Sequence, residues 1–354
     1  MWRSRTVATL RVLSDQDVRK CIDIKGTLTA VEKAYVAKSS GLAHLYPVID
    51  EKLHNDKAEF DIKSGDWLEQ EIIGAKLVNW FGDNSAKGLD TIVGLSMLFD
   101  SNTGYPLALI NASYITSMRT GASGAIAAKY LAKPDAKVAV VIGTGNQALF
   151  QIAFLISALP TIQNIYIVNP RSFDKAQKFT AEVSQKLKMI MEDQIDPENK
   201  VWNRRVQAIN FLASADIEKA LVVADVVITA TPSRGSLISK KSIGPGVHIN
   251  CMGADSVGKQ EIDEELFSGA RVFTDDLSQS ISLGECQTAV RKGILNSNQI
   301  IELGDVINGV YLGRESENQV TVFDGTGISL QDISVGKLAL DVAIEKNLGQ
   351  IVNL

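Results

Sequence analysis

Between residues 15 and 40 the apolar positions of DQDVRKCIDIKGTLTAVEKAYVAKSSG recur at helical spacing and stop at a Ser-Ser-Gly. This predicts one or two opening helices. The pattern then changes. From 58 to 112 short apolar runs, AEFDI, IIGAKLVNWF, TIVGLSMLFD and PLALI, are broken by GDNSAKG and SNTG, as expected for strands of an antiparallel sheet joined by turns. The segment SYITSMRTGASGAIAAKYLAK, 113–133, is rich in alanine and other helix formers and is closed by Pro134 and Asp135, so a helix bridging two domains is expected there. Beyond it AKVAVVIGTG, NIYIVNP, VQAINF, ADVVITATPS, GVHINCMGA and ARVFTDD recur as β-branched runs, several separated by helical segments. That is the rhythm of a parallel, doubly wound sheet. The tail ISLQDISVGKLALDVAIEKNLG is periodic as a helix and is expected to pack back on the first domain. The predicted fold class is α/β: a doubly wound parallel sheet over 119–319, and an N-terminal α+β domain over 1–118 joined by 320–354.

Composition narrows the chemistry. The 354 residues, 45% apolar and 22% charged, suit two domains of ordinary size. A net charge of -5 with no basic stripe argues against nucleic acid or an anionic membrane as partner and for a small molecule. Cys21, Cys251 and Cys286 are far apart and form no CxxC, so reduced thiols and a cytoplasmic location are expected. The opening MWRSRTVATLRVLSDQD lacks an apolar run followed by a cleavage site, and no later stretch reaches the ~18 apolar residues of a membrane span. His44, His54 and His248 are not spaced as a metal pair, so no metal is expected.

The sharpest motif is Gly143-Thr144-Gly145-Asn146-Gln147-Ala148, directly after AKVAVVI and before LFQIAFLISAL. In that strand-to-helix setting the two glycines, Asn146 and Gln147 form a turn whose amides and helix N-terminus hold a pyrophosphate, the Rossmann arrangement. A tight turn in another doubly wound protein is the competing reading. The next strand, NIYIVN, ends in Asn169 with Arg171 and Ser172 after it and no carboxylate before Asp174. This favours NADP(H) over NAD(H), because a ribose 2′-hydroxyl would call for an acid there and a 2′-phosphate for a cation; NAD(H) stays possible, and Arg171 could be an ordinary loop arginine. Thr231, in the TATPS loop after another strand, should reach the cofactor unless it caps a following helix. Lys76, Arg119 and Asp255 are the residues offered for chemistry at an amino-acid Cα, two cations for a carboxylate and one group that moves a proton. Each also has a plain reading: Lys76 an edge-strand lysine, Arg119 a helix ion-pair partner, Asp255 a cap.

The strings KLVNWFGDN, KGLDTIVGLSMLFDSNTGYPLALINASYITSMRTGASGAIAAKYLA, GTGNQA and GADSVGKQEID, in this order along nearly the whole chain, resemble the ornithine cyclodeaminase/mu-crystallin family. The resemblance implies a homodimer, with an N-terminal domain that binds substrate and dimerises and a Rossmann domain after it. It implies that Lys76 and Arg119 hold the substrate carboxylate and that Asp255 is the catalytic acid/base. It also implies cofactor contacts from Thr91, Arg119, Asn146, Gln147, Asn169, Met252, Lys259, Gly325 and Thr326, and Thr326 is expected to bind substrate as well. The activity implied is that of an NAD(P)-dependent oxidoreductase at the Cα–N bond of a small amino acid, an amino-acid dehydrogenase or an imine reductase. Two alternatives stand beside it: an ornithine or lysine cyclodeaminase, and a non-enzymatic NADP-linked binding protein.

Two departures bear on the substrate. Many members carry an arginine shortly after the proline matching Pro47, where this chain has Val48. Cyclodeaminases place a glutamate about thirteen residues before the lysine that matches Lys76, near the distal amine of the diamine; here that residue is Lys63. A cation there would repel a diamine and could bind the α-carboxylate or a distal one, as in an aspartate-like or iminosuccinate-like substrate, unless it is a solvent-facing loop lysine.

Overall fold

The computed structural model describes residues 9–55, 57–192 and 199–354. The chain forms two compact units, Met1–Arg119 with Ile328–Leu354, and Thr120–Gly327. Strands β1 (Thr9–Leu13), β2 (Ala43–Leu45), β3 (Ile49–Leu53), β4 (Ala58–Trp67), β5 (Ile72–Phe81), β6 (Ile92–Asp100) and β7 (Pro106–Asn111) lie in the first unit. The second holds β8 (Val138–Ile142), β9 (Asn164–Val168), β10 (Asn210–Ser214), β11 (Val226–Thr229), β12 (Arg234–Ile238), β13 (His248–Cys251), β14 (Gln260–Ile262), β15 (Arg271–Thr274), β16 (Ile300–Glu302) and β17 (Thr321–Asp324). A last strand, β18 (Gln350–Asn353), belongs to the first unit.

In the first unit the strands run in the order β18-β1-β7-β6-β5-β4-β2, with β3 also on β4. All pairs are antiparallel except β1 with β7. The helices Asp15–Cys21, Ile24–Ser39 and Ser329–Glu345 complete it. Ser14 and Asp17 form a capping box on the first helix, and Asp23 accepts from the Gly26 amide at the head of the second, which explains the break at residues 22–23. Strands β1, β2, β3 and β18 were not legible from patterning. They are short, and β3 and β18 bury no residue, so no alternation marks them. The helix Ala112–Leu131 carries the chain from the first unit to the second.

In the second unit the sheet order is β10-β9-β8-β11-β13-β17-β15-β16 and every pair is parallel. Reading outward from β8, the first six strands give the doubly wound order of a dinucleotide-binding fold, reversing between β8 and β11. A parallel sheet is covered on both faces, so its strands are continuous apolar runs; β11, β13 and β17 are buried at every position. Polar residues in these strands are therefore paired. His248 bonds Thr321 Oγ1 at 3.0 Å and Asn250 Oδ1 at 2.8 Å, while Asn250 donates to the Gly124 carbonyl at 2.7 Å. Burial pushes the His248 imidazole down to about 3, so it is a neutral core histidine. The three cysteines are free and buried, and no described helix is long and apolar enough to cross a membrane.

Candidate active site

The first unit gathers three buried cations around one acid. Lys63 on β4 lies directly opposite Lys76 on β5, an arrangement that like charges disfavour. Asp332, on the helix Ser329–Glu345, offsets it. Lys76 Nζ stands 2.9 Å from each Asp332 carboxylate oxygen, and Arg119 Nε donates to Oδ1 at 3.2 Å. Arg119 also donates to Gln331 Oε1 at 3.0 Å, and Gln331 in turn donates to the Tyr35 hydroxyl at 2.8 Å. Lys63, Lys76, Arg119, Gln331 and Asp332 are all buried. Burial, then the neighbouring Arg119 charge, drives the Lys76 ammonium down to about 7 against the pull of Asp332. Burial alone would raise the Asp332 carboxyl, but Arg119 and Lys76, with Lys63 adding, hold it below the usual range. Lys76 is thus no edge-strand lysine, since β5 lies between β4 and β6, and Lys63 is no solvent-facing one. Thr91 immediately precedes β6, its carbonyl accepting from the Phe81 amide at 2.8 Å.

In the second unit β8 runs into the glycine turn and the helix Asn146–Ala158. Gly143 has φ 128°, and a Cβ there would stand 2.5 Å from the Ala230 carbonyl oxygen, so both backbone and space require glycine. Gly145 is the N-cap and brings no side chain to the first-turn amides. A helix N-terminus uncapped in this way fits a pyrophosphate, whose oxygens accept from such amides. Asn146 and Gln147 are the first two residues of that helix. At the end of β9, Asn169 donates to Thr144 Oγ1 at 2.7 Å and accepts from the amides of Arg171 and Ser172 at 2.9 and 3.1 Å. It therefore ties the second strand end to the glycine turn. Ser172 accepts from the Lys175 amide at 3.3 Å, and Arg171 is exposed.

The remaining predicted residues stand on loops after β11, β13 and β17. Thr231 donates through both its amide and its hydroxyl to Glu261, at 2.7 and 2.8 Å. The element that follows it is the strand β12, so it caps no helix. Asp255 likewise precedes a strand, β14, and instead receives Lys259 Nζ at 2.5 Å, its side chain 52% exposed. Met252 lies against Gly325, where a Cβ would come within 2.8 Å of its thioether. Thr326 donates to Asp275 through its amide, 3.1 Å, and its hydroxyl, 2.7 Å. The structure thus brings Lys63, Lys76 and Arg119 together in one unit, and Gly143, Gly145, Asn146, Gln147, Asn169, Arg171 and Ser172 together in the other, which also holds Asp255 and Lys259. Among the described residues no cluster of three or more His, Cys, Asp or Glu could hold a metal ion. Sequence reasoning missed Asp332, Gln331 and Glu261. Asp332 had a signal, because a carboxylate inside the apolar stripe of ISLQDISVGKLAL can be buried only against a cation.

The sequence profile of the ornithine cyclodeaminase/mu-crystallin family matches residues 9–201 and 185–347. The chain belongs to this family. Among solved members, an archaeal alanine dehydrogenase dimer with bound NAD shares 32% identity over 98% of this chain and 99% of its own, with a TM-score of 0.84. The Δ1-pyrroline-2-carboxylate reductase of Thermococcus litoralis, solved with NADH and L-proline, is 26% identical over 96% and 99%, TM-score 0.86. The iminosuccinate reductase of Paracoccus denitrificans, solved with NAD+, is 28% identical over 98% and 100%, TM-score 0.84. Like these members of the ornithine cyclodeaminase/mu-crystallin family, the chain pairs a parallel nucleotide-type sheet with a second α+β unit.

Proposed function

We propose that the chain is an NAD(P)-dependent oxidoreductase acting on the Cα–N bond of a small amino or imino acid. The observation that carries this reading is the buried set of Lys63, Lys76 and Arg119, three cations sharing the carboxylate of Asp332, in a chain with a dinucleotide-binding sheet. Alanine, iminosuccinate and pyrroline-2-carboxylate, substrates in the names of its relatives, are all small carboxylates with nitrogen on Cα. Lys76 and Arg119 hold the substrate carboxylate, Lys63 adds a third cation beside them, and Thr326 lies beside the substrate. Asp255 moves the proton to or from the nitrogen, or to water that attacks the iminium. The dinucleotide, held at Gly143, Gly145, Asn146, Gln147, Asn169 and Thr231 with Thr91, Met252, Lys259 and Gly325, supplies or accepts the hydride at Cα. We assign the chain to the cytoplasm, in keeping with its three free thiols, and to a homodimer, as in the archaeal alanine dehydrogenase.

The test follows reduced-nicotinamide absorbance with ammonia and a panel of 2-oxo acids and cyclic imines, beside an ammonia-release assay with ornithine and lysine. Steady coenzyme turnover supports the reading and names the substrate. Ammonia release without net coenzyme change would make the chain a cyclodeaminase and overturn it.

Two finer expectations follow. Arg171 and Ser172 at the end of β9, with no acid on that strand end, favour NADP(H), so Arg171→Ala should weaken NADPH by about tenfold or more and leave NADH nearly unchanged. Equal losses in a fluorescence titration would remove the preference. Lys76 must be charged to hold a carboxylate and loses its proton at about 7, so kcat/KM should fall as pH rises beyond neutrality, approaching tenfold per unit. Arginine stays charged throughout that range, so Lys76→Arg should flatten the limb, whatever its absolute activity; a limb that persists would mean another group titrates.

A further inference from the structure

The buried carboxylate of Glu261, on β14, is bonded on all sides by two loops. Its Oε1 accepts from the Thr231 amide at 2.7 Å and hydroxyl at 2.8 Å; its Oε2 accepts from Thr229 Oγ1 at 2.7 Å and the Gly253 amide at 2.8 Å. Thr229 ends β11 and Thr231 follows it, while Gly253 follows β13; β11 and β13 are adjacent parallel strands, and β11 with β8 borders the point where the strand order reverses, the place where a dinucleotide lies in such a sheet. The approach is close enough to require glycine at 253, where a Cβ would stand 2.2 Å from the Thr231 carbonyl oxygen and 2.6 Å from the Glu261 carboxylate. Met252 and Asp255 flank that glycine.

We propose that Glu261 is a positioning residue of the reaction: its ionised carboxylate clamps the loops after β11 and β13 to one another and thereby sets Met252 and Asp255 at the cofactor crevice. The proposal rests on the oxidoreductase reading above. The Thr231 and Gly253 amides can only donate, so a proton arriving on the carboxylate either displaces one of them or makes a threonine hydroxyl turn round and accept, and both changes weaken the clamp. Burial raises Glu261 to about 7, and the bonds from Thr229 and Thr231 pull it back. The charged and titratable neighbours have defined states. Glu285, from the turn after the helix Leu277–Ser282, accepts from the Glu261 and Ile262 amides at 2.8 and 2.7 Å. Burial, then Glu261, pushes its carboxyl well above the usual range. The Cys251 and Cys286 thiols are pushed well up by burial and stay neutral. Asp324, at the end of β17, is raised to about 6 by burial and held by Ser280 Oγ at 2.6 Å and the Cys286 amide at 3.0 Å. Asp275, raised by burial, is held by Thr326 and Gly327.

The clamp therefore loosens as pH falls through neutrality, and cofactor affinity falls with it. The experiment titrates NADH and NADPH in parallel, by fluorescence, against the wild-type protein and the Thr229→Val, Glu261→Gln and Glu261→Asp variants between about pH 6 and 8.5. Thr229 is fully buried and valine keeps its shape while removing one donor, so Thr229→Val should move the acid limb of affinity upward by on the order of one pH unit. Glu261→Gln should bind about tenfold more weakly at the alkaline end and lose the limb; Glu261→Asp should recover part of both affinity and limb. A Thr229→Val protein whose limb coincides with wild type, or a folded Glu261→Gln protein that keeps it, overturns the assignment. A wild-type protein that binds neither nucleotide at any pH overturns instead the oxidoreductase reading, and this proposal with it.

Discussion

Asp255→Asn is expected to lower kcat by about two to four orders of magnitude, the range a positioned general acid or base contributes, while NADH and NADPH binding stays near wild type. Asparagine preserves the size of the side chain and can still accept from Lys259, whose Nζ lies 2.5 Å from Asp255 Oδ1, but it can neither take up nor release a proton at neutral pH. The loop should keep its course, because Glu261 and Gln287 accept from the Gly253 and Gly258 amides at 2.8 Å each. A loss in kcat without a matching loss in cofactor affinity is therefore the signature of proton transfer. An Asp255→Asn enzyme within about tenfold of wild type would remove Asp255 from that role.

Why Asp255 could be singled out from sequence and Glu261 could not is a matter of what each motif exposes. The glycine turn is legible because Gly143 and Gly145 follow an apolar run and precede a helix, a sequence order that backbone geometry demands. The parallel sheet is legible for a similar reason: strands covered on both faces leave continuous runs such as AVVI and DVVIT. Asp255 and Lys76 stood out only as charges among glycines and apolar residues. Glu261, in GKQEID, reads as one more alternating polar position, and nothing local says that its side chain turns inward to meet loops from β11 and β13. The same holds for Asp332. Its partners Lys76 and Arg119 lie 256 and 213 positions away along the chain, and only the return of the last helix to the first unit joins them. The edge strand β18, exposed at every residue, had no periodicity to show. Local rules therefore reached most of the elements and the glycine turn, while the long-range ionic bonds among the buried charges had to come from the fold.

Asp332→Asn should cost about 3–5 kcal/mol, the usual penalty for removing one partner from a buried ion pair, and lower the unfolding temperature by roughly ten degrees for a unit of this size. The cause is Coulombic. Asp332 is 1% exposed and is the acid shared by Lys76, Arg119 and Lys63; asparagine leaves those cations buried without its charge. The penalty has a defined pH dependence. In the wild type Lys76 has a folded value of about 7, below its ordinary 10.5, so between those values the unfolded chain binds a proton that the folded chain does not, and stability rises with pH across that window. Below about 7 the ammonium is buried in full and its cost is constant. Loss of Asp332 removes the one attraction that holds Lys76 up, moving its folded value lower and extending the same rise below neutrality. The gap between variant and wild type should consequently be widest at about pH 5.5 and narrower at about pH 8.5, where Lys76 is neutral in both. Arg119 keeps its charge at either pH, so the gap narrows without closing. Thermal unfolding of the two proteins across that range measures it directly. A gap that stays constant between about pH 5.5 and 8.5 would mean that Lys76 keeps its charge throughout in both proteins, and that its burial is compensated by something other than Asp332.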